Sequence, residues 1–458
     1  MNTFQDSSLV GLTISVALVI NAVFVVYVIA LIVAFLRHRP DPPGEASDFE
    51  WHLLIPCRDE ATVVGQTLAY LRKAFPTTHL WVIDDASEDK TRSIAKRFAA
   101  RDDRTHVVCR DLPNARTGKS EALNEAYRQL VEWLPEGADH ERVVVGVVDA
   151  DGRPAQNCMD VIAGSALFGD ARIGAVQIEV RMMNREDRKP FPRAGRIRNF
   201  FGRTLVRLQD IEFRAPISAI QMSRTHTRSV CMGGNGQFTR LSALNIAGGP
   251  GEPWQGSLLE DFELGLHVML TGYRTGYTAS TWVEQEGLAS LTRFVVQRTR
   301  WAQGTMQCMR YVGRVWRSTQ LGNAGVLELT YYLLQPWVQL LGSVIYPIPV
   351  IIFLNNLILY TPETMEFLRD GGAALFALYL VFGIAQFAVW GVLYWLRCDR
   401  THSLARCLGW GVGYALMMLL FYVTSWRAFY RLLRRQSGWA KTRRNAETAV
   451  TGPVARYS

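Results

Sequence analysis

Residues 9–36 form an almost unbroken apolar run of about 28 positions, longer than the roughly 20 that a helix needs to cross a bilayer. No Lys or Arg precedes the run and Arg37-His38-Arg39 follows it, the pattern of a retained transmembrane helix and not of a cleaved leader. The positive flank predicts the N-terminus outside and residue 37 onward in the cytosol. From 51 to 277 the pattern changes to short apolar runs at 51–56, 80–83, 106–108 and 142–148, separated by amphipathic stretches at 62–74, 90–100 and 120–133. Strands alternating with helices predict an α/β domain with a mostly parallel sheet covered on both faces, which gathers ligands at the carboxyl ends of its strands. Residues 294–316 then mix aromatics with arginines, a composition suited to the membrane surface.

Further apolar stretches lie at 326–360, 372–396 and 403–426. The first would be about 50 Å long as one helix, against a hydrocarbon core of about 30 Å, so a break is expected at Gln335-Pro336 or Pro347-Ile348-Pro349. The organisation expected is therefore a membrane helix at 1–39, a cytosolic α/β domain at 50–290, interfacial helices at 291–320, a helical bundle at 325–432 and a basic cytosolic tail at 433–458. If the first stretch crosses twice, the connection carrying Arg397, Arg400 and Arg406 is outside and the more basic C-terminal segment inside, as the positive-inside rule favours. The expected location is the plasma membrane, multi-pass.

Charge refines this picture. The net charge of +9 is concentrated beside apolar segments, at Arg37, Arg39, Arg427, Arg431, Arg434, Arg435, Lys441, Arg443 and Arg444. That arrangement fits anionic lipid headgroups and not nucleic acid, for which no binding motif is present. The seven cysteines show no C-x-x-C pair, so they read as reduced thiols and not as a zinc site.

Three acidic clusters carry the candidate chemistry. Asp149-Ala150-Asp151 follows a very apolar strand, and its hard carboxylate oxygens suit Mg2+ or Mn2+. Asp84-Asp85 also follows a strand; a helix N-terminus with Ser87 as cap accounts for Ser87, Glu88 and Asp89, and the paired acids before them can at the same time meet a nucleoside. Glu260-Asp261 opens a helix, where Asp261 is the candidate base for an acceptor hydroxyl or a simple partner of the helix dipole. Gly118-Lys119-Ser120 is not a phosphate loop, since Pro113 stands where that spacing requires glycine. Lys119 is left to meet a nucleotide or to be solvated. In Gln297-Arg298-Thr299-Arg300-Trp301, Arg300 offers a planar fork to phosphate oxygens, Gln297 a hydrogen-bonding amide and Trp301 a ring face for a sugar, or else the segment is an interfacial helix.

In this order, the acidic clusters followed by Gln-x-x-Arg-Trp and a membrane block resemble the processive family 2 glycosyltransferases, which include cellulose, chitin and hyaluronan synthases. The resemblance implies a GT-A fold and an inverting, β-forming transfer. It further implies Glu60, Asp84, Asp85, Lys119, Asp149 and Arg300 at a UDP-sugar donor (UDP-glucose as the example), Asp149 and Asp151 at the metal, and Asp261 as base. Glu260, Gln297 and Trp301 would lie at the acceptor, with Gly234 and Asn235 in Gly233-Gly234-Asn235-Gly236-Gln237-Phe238 shaping its site. The expected product is a growing glycan, passed through the chain's own helices. The alternatives are transfer of one sugar to a lipid or short acceptor, and a membrane protein whose domain only binds nucleotide.

Overall fold

The computed structural model describes residues 8–249 and 251–436. Eight strands form one sheet in the order β3-β2-β1-β4-β7-β6-β8-β5. They are β1 (Glu50–Cys57), β2 (His79–Asp85), β3 (Thr105–Arg110), β4 (Val143–Val147), β5 (Arg153–Pro154), β6 (Ile173–Met182), β7 (Gln237–Arg240) and β8 (Arg274–Gln285). β3, β2, β1 and β4 run parallel, as the apolar runs predicted. The other half departs from the expected parallel sheet: β7 is antiparallel to both β4 and β6, and β5 is antiparallel to β8. β7 is only four residues long and was invisible as a hydrophobic run because three of its four buried residues, Gln237, Thr239 and Arg240, are polar.

The helices before the membrane block are α1 (Ser8–Arg37), α2 (Val64–Ala74), α3 (Thr91–Ala99), α4 (Lys119–Trp133), α5 (Cys158–Ala163), α6 (Arg196–Glu212), α7 (Ser218–Thr227), α8 (Leu241–Ala247) and α9 (Glu260–Leu270). Successive side chains of a strand point to opposite faces. Leu53 and Ile55 of β1 accordingly join the core under α2, α3 and α5, while Leu54 joins the core under α4, α8 and α9. Both faces are covered.

The remaining helices are α10 (Leu291–Cys308), α11 (Val312–Arg317), α12 (Asn323–Ile345), α13 (Pro347–Leu359), α14 (Thr361–Phe367), α15 (Ala373–Arg397) and α16 (Leu404–Leu433). Among the described residues, three segments are long and apolar enough to cross a membrane, Val19–Arg37, Asn323–Leu359 and Leu404–Leu433. No break occurs at the expected Gln335-Pro336, whereas at the expected Pro347 one helix ends and the next begins, α12 at Ile345 and α13 at Pro347. Pro336 sits inside α12, and α12 runs into α13 through Tyr346, whose φ and ψ are helical. The chain turns only beyond Leu359, with a kink at Asp370 and Gly371.

The expected outside position of the connection 397–403 is also overturned. Arg397 donates to the carbonyl oxygens of Leu36 and His38 at 3.3 and 3.0 Å, at the end of α1 where the chain enters the α/β domain. Arg214, between α6 and α7, donates to the Cys398 carbonyl at 2.7 Å, and Arg207 of α6 pairs with Asp399 at 3.3 Å. The far end of α16 returns to the same domain, where Gln303 of α10 donates to the Gln436 carbonyl at 2.6 Å and accepts from Arg431 at 2.8 Å. Both ends of α16 therefore lie on the α/β side. Charge counting missed this because it treated every apolar stretch as a crossing. The basic tail expected at 433–458 lies, from residue 437, outside the described residues.

Candidate functional site

The topology brings several chain segments to one edge of the sheet. β1, β2 and β4 end there in Asp59-Glu60, Asp84-Asp85 and Asp149, and β6 and β8, which are parallel to each other, end there too. The antiparallel β7 starts at this edge, through Gly233 to Gly236. At the centre stands Lys119, the first residue of α4. Its ammonium lies 3.0 Å from Asp149 Oδ1 and 3.7 Å from Glu260 Oε1. Gly234, at φ +79°, faces Asp261 so closely that a Cβ there would fall 2.7 Å from Asp261 Oδ2.

The electrostatics follow from this crowding. Burial and then the neighbouring Glu260 carboxylate push the Asp261 carboxyl up to about 7, against the opposing pull of Lys119 and Arg300. Burial alone would lower the Lys119 ammonium, but Asp149, Glu260 and Asp261 outweigh it and hold it above the usual lysine range. A half-ionised carboxyl beside a permanently charged lysine can accept a proton near neutral pH.

Polar staples position these groups. Asn124 of α4 donates to the Trp254 carbonyl at 2.8 Å and accepts from the Trp254 amide at 3.1 Å, and Ser120 donates to the Gln255 carbonyl at 2.9 Å. The strand-to-helix turn carrying Lys119 is thereby tied to the segment that leads into Glu260 and Asp261. α10 closes on the same segment. The Leu258 amide donates to Gln307 Oε1 at 2.9 Å, and Gly304 lets α10 approach so closely that a Cβ would meet Leu259 at 2.7 Å. That approach brings Arg300 within electrostatic range of Asp261.

Asn235 is central to this web. Its Oδ1 accepts the Asp149 amide at 3.1 Å and its Nδ2 donates to Gln285 Oε1 at 2.8 Å, while Gln177 donates to the Asn235 carbonyl at 2.9 Å and accepts the Gly233 amide at 2.8 Å. Asp151 Oδ2 accepts the Glu286 amide at 2.9 Å, which joins the turn after β4 to the turn after β8. Gln177, Gln285, Glu286 and Asn124 were not found from sequence, because each is a single polar residue in a strand, turn or helix with no spacing to mark it.

The structure brings together Lys119, Asp149, Glu260, Asp261, Gly234 and Arg300, and gives other expected site residues partners within the protein. Asp84 is fully buried and pairs with Arg92 at 2.6 Å. Asp85 is nearly as buried, and its Oδ1 accepts from Arg110 at 2.6 Å and from the Arg116 amide at 3.0 Å. These acids hold the arginine-bearing segment 110–116 against the sheet. Asn235 is 3% exposed, and its carboxamide is engaged by the Asp149 amide and by Gln285. Ser87 is no helix cap: it accepts the Asp59 amide at 3.0 Å, and Asp89 accepts the Thr91 amide at 2.8 Å. Glu60 is buried, its amide bonded to Thr91 Oγ1 at 2.7 Å.

In the Gln297 to Trp301 segment, Gln297 and Arg300 are partly exposed while Arg298 is buried. Arg298 pairs with Glu212 at 2.6 Å and lies 4.2 Å from the centroid of the Trp301 ring. One face of Trp301 is thus covered by a guanidinium, with Phe213 set edge-on at 6.2 Å. The helix is packed between the α/β domain and α16.

Comparison with known proteins agrees with this geometry. The chain is 28% identical over 291 residues to a β-monoglucosyldiacylglycerol synthase of Synechocystis, covering 62% of this chain and 54% of that one. It is 28% identical over 259 residues to a probable glycosyltransferase of Bacillus subtilis, covering 55% and 54%. The matched part thus spans about half the length of these curated relatives. Among solved structures, a mannosyltransferase of Pyrobaculum calidifontis, determined with GDP-mannose and Mn2+, aligns over 92% of this chain and 99% of that one, with a TM-score of 0.53 and 15% identity. This likeness supports the GT-A-like fold. The family described as glycosyltransferase like family 2 matches residues 50–304, more than half of the chain, and the chain belongs to that family of glycosyltransferases.

Proposed function

We propose that this glycosyltransferase moves a single sugar from a nucleotide-sugar donor to the hydroxyl of a membrane lipid, of which a diacylglycerol is the leading candidate. The observation that carries the reading is the Lys119-Asp149-Glu260-Asp261 cluster, which combines a carboxyl able to take a proton near pH 7 with positive charge for a departing diphosphate. Relatives named as monoglucosyldiacylglycerol synthases support a lipid acceptor over the polymer expected from sequence, as do helices apolar enough to lie in a bilayer beside the domain.

In this mechanism the acceptor oxygen attacks the anomeric carbon as its proton passes to Asp261. The bond to the diphosphate breaks, and the nucleoside diphosphate leaves with the electron pair. Lys119 and Arg300 offset the charge that develops on it. A divalent cation fits the donor set, since Asp149 is accessible with hard oxygens in a cluster already balanced by an ammonium 3.0 Å away. Asp149 and Asp151 would hold it, and it would supply further neutralisation of the diphosphate. Gln297 and Trp301 are the residues of α10 proposed to meet the acceptor.

The test is incubation of the purified chain in nanodiscs with Mn2+ or Mg2+, a panel of labelled nucleotide sugars and diacylglycerol, followed by mass analysis of lipid products. A lipid carrying one hexose is expected. A high-mass glycan would overturn single transfer in favour of polymerisation, and absence of nucleotide release from every donor would overturn transfer itself.

A further inference from the structure

We propose that the N-terminal half of α6, with the loop before it, is a docking surface for the anionic headgroup layer of a lipid bilayer. Ile197, Phe200 and Phe201 are 76, 51 and 65% exposed, an unusual concentration of large apolar side chains on the α/β domain. At about 100° per helical residue they fill one arc, with Arg196 and Arg203 along one margin and Arg198 along the other. An apolar stripe bordered by basic residues is the form of a helix that lies in a membrane interface. Arg188, Lys189 and Arg193 extend the positive charge into the loop, and no Asp or Glu occurs from 188 to 209. Nothing acidic in that stretch competes with a phosphate.

The surface is built and not frayed. Asn199, 8% exposed, accepts the Phe191 amide at 2.9 Å and donates to the carbonyls of Phe191, Ala194 and Gly195, which folds the loop back on the helix. Gly202 admits the Phe191 ring so closely that a Cβ would meet it at 2.7 Å. The side chains that remain outward are therefore held outward.

Its place in the molecule identifies the occupant. The other end of α6 is buried against the apolar helices α15 and α16: the Arg207 guanidinium lies 4.8 Å from the Trp410 ring centroid of α16 and bonds Tyr394 of α15 at 3.2 Å. One helix thus continues from a junction with apolar helices to an exposed aromatic and basic end, as expected of an element at headgroup depth. Gln209, on the buried half, bonds the Leu288 amide and carbonyl at 3.1 and 2.8 Å, in the turn after β8 whose Glu286 amide holds Asp151. About 12 Å of helix separates Phe201 from that turn. Docking here would set the cleft at a fixed height above the lipid.

The inference rests on the membrane reading of α1, α12 and α13 and is independent of the transfer chemistry. It is tested on the full chain reconstituted into phosphatidylcholine vesicles with or without phosphatidylglycerol. A nitroxide is placed at Phe201→Cys, and at Lys96→Cys on the far edge of the sheet as an aqueous control, with the signal of the native cysteines subtracted. At 201 the expected result is a shift toward oxygen accessibility and away from an aqueous nickel chelate when phosphatidylglycerol is present. The triple substitution Arg196→Glu, Arg198→Glu and Arg203→Glu is expected to abolish that shift. Aqueous accessibility at 201 in both vesicles, or a shift that survives the triple substitution, would overturn the proposal while leaving the membrane reading intact. A chain that fails to float with vesicles would overturn both.

Discussion

Replacing Gly234 by alanine tests the central contact of the site. The native φ of +79° is open to glycine and costs a residue with a Cβ about 1 kcal/mol. The new Cβ would also lie 2.7 Å from Asp261 Oδ2, well inside contact distance, so the carboxylate must retreat by several tenths of an ångström. Because that carboxylate is a side-chain end that can swing, the stability loss is expected to stay near 1–2 kcal/mol. Catalysis is more exacting, since a misplacement of 1 Å can cost about a hundredfold. The expected result is a fall in kcat of about tenfold or more with donor KM little changed. Gly233→Ala is the control: its nearest neighbour, Gln177 Oε1, would be 3.6 Å away, and near-native activity is expected. Initial transfer rates and thermal unfolding of the purified chains measure both effects. Full activity in Gly234→Ala, accompanied by the stability loss, would show that the position of the Asp261 carboxylate does not matter and would remove Asp261 as the base.

Two further outcomes are expected. With the Asp261 carboxyl pushed up to about 7, its proton-accepting form grows as pH rises, so the transfer rate should climb through neutral pH and level off above it. Asp261→Asn should lose about 10²–10⁴-fold in rate and, because the native carboxyl disfavours ionising in the fold, should melt higher than the native chain at pH 8; a pH profile unchanged by the substitution would exclude the role. A separate pH effect arises at His79, which stacks between His52 and His106 and shares a 3.1 Å ring-nitrogen contact with His106. Burial and the two neighbouring histidines lower it to about 4. The folded state then holds fewer protons than the unfolded state between about 4 and 6.5, so stability is lost as pH falls through that window. The full shift corresponds to about 3 kcal/mol, which partial exposure reduces to about 1 kcal/mol. Denaturant unfolding at pH 7.5 and 5 should show His79→Asn with a smaller loss on acidification than the native chain, and equal losses would refute this.

The sequence by itself determined the α/β class, the parallel half of the sheet and the segments able to lie in a membrane, because each is written as a local hydrophobic period. It also marked Lys119, Asp149 and Asp261 as charged residues at the end of an apolar strand or the start of a helix, and Arg300 through the Gln297 to Trp301 segment. Tertiary structure alone decided that Asp84 and Asp85 turn to Arg92 and Arg110, that Asn235 serves Asp149, and that Arg298 covers a face of Trp301. It alone showed that 397–403 and Gln436 return to the α/β domain. The reason is physical. Hydrophobic period reports only which way a side chain faces within its own element, whereas the partner of a charge or a carboxamide is chosen by whatever distant segment the packing brings within about 3 Å.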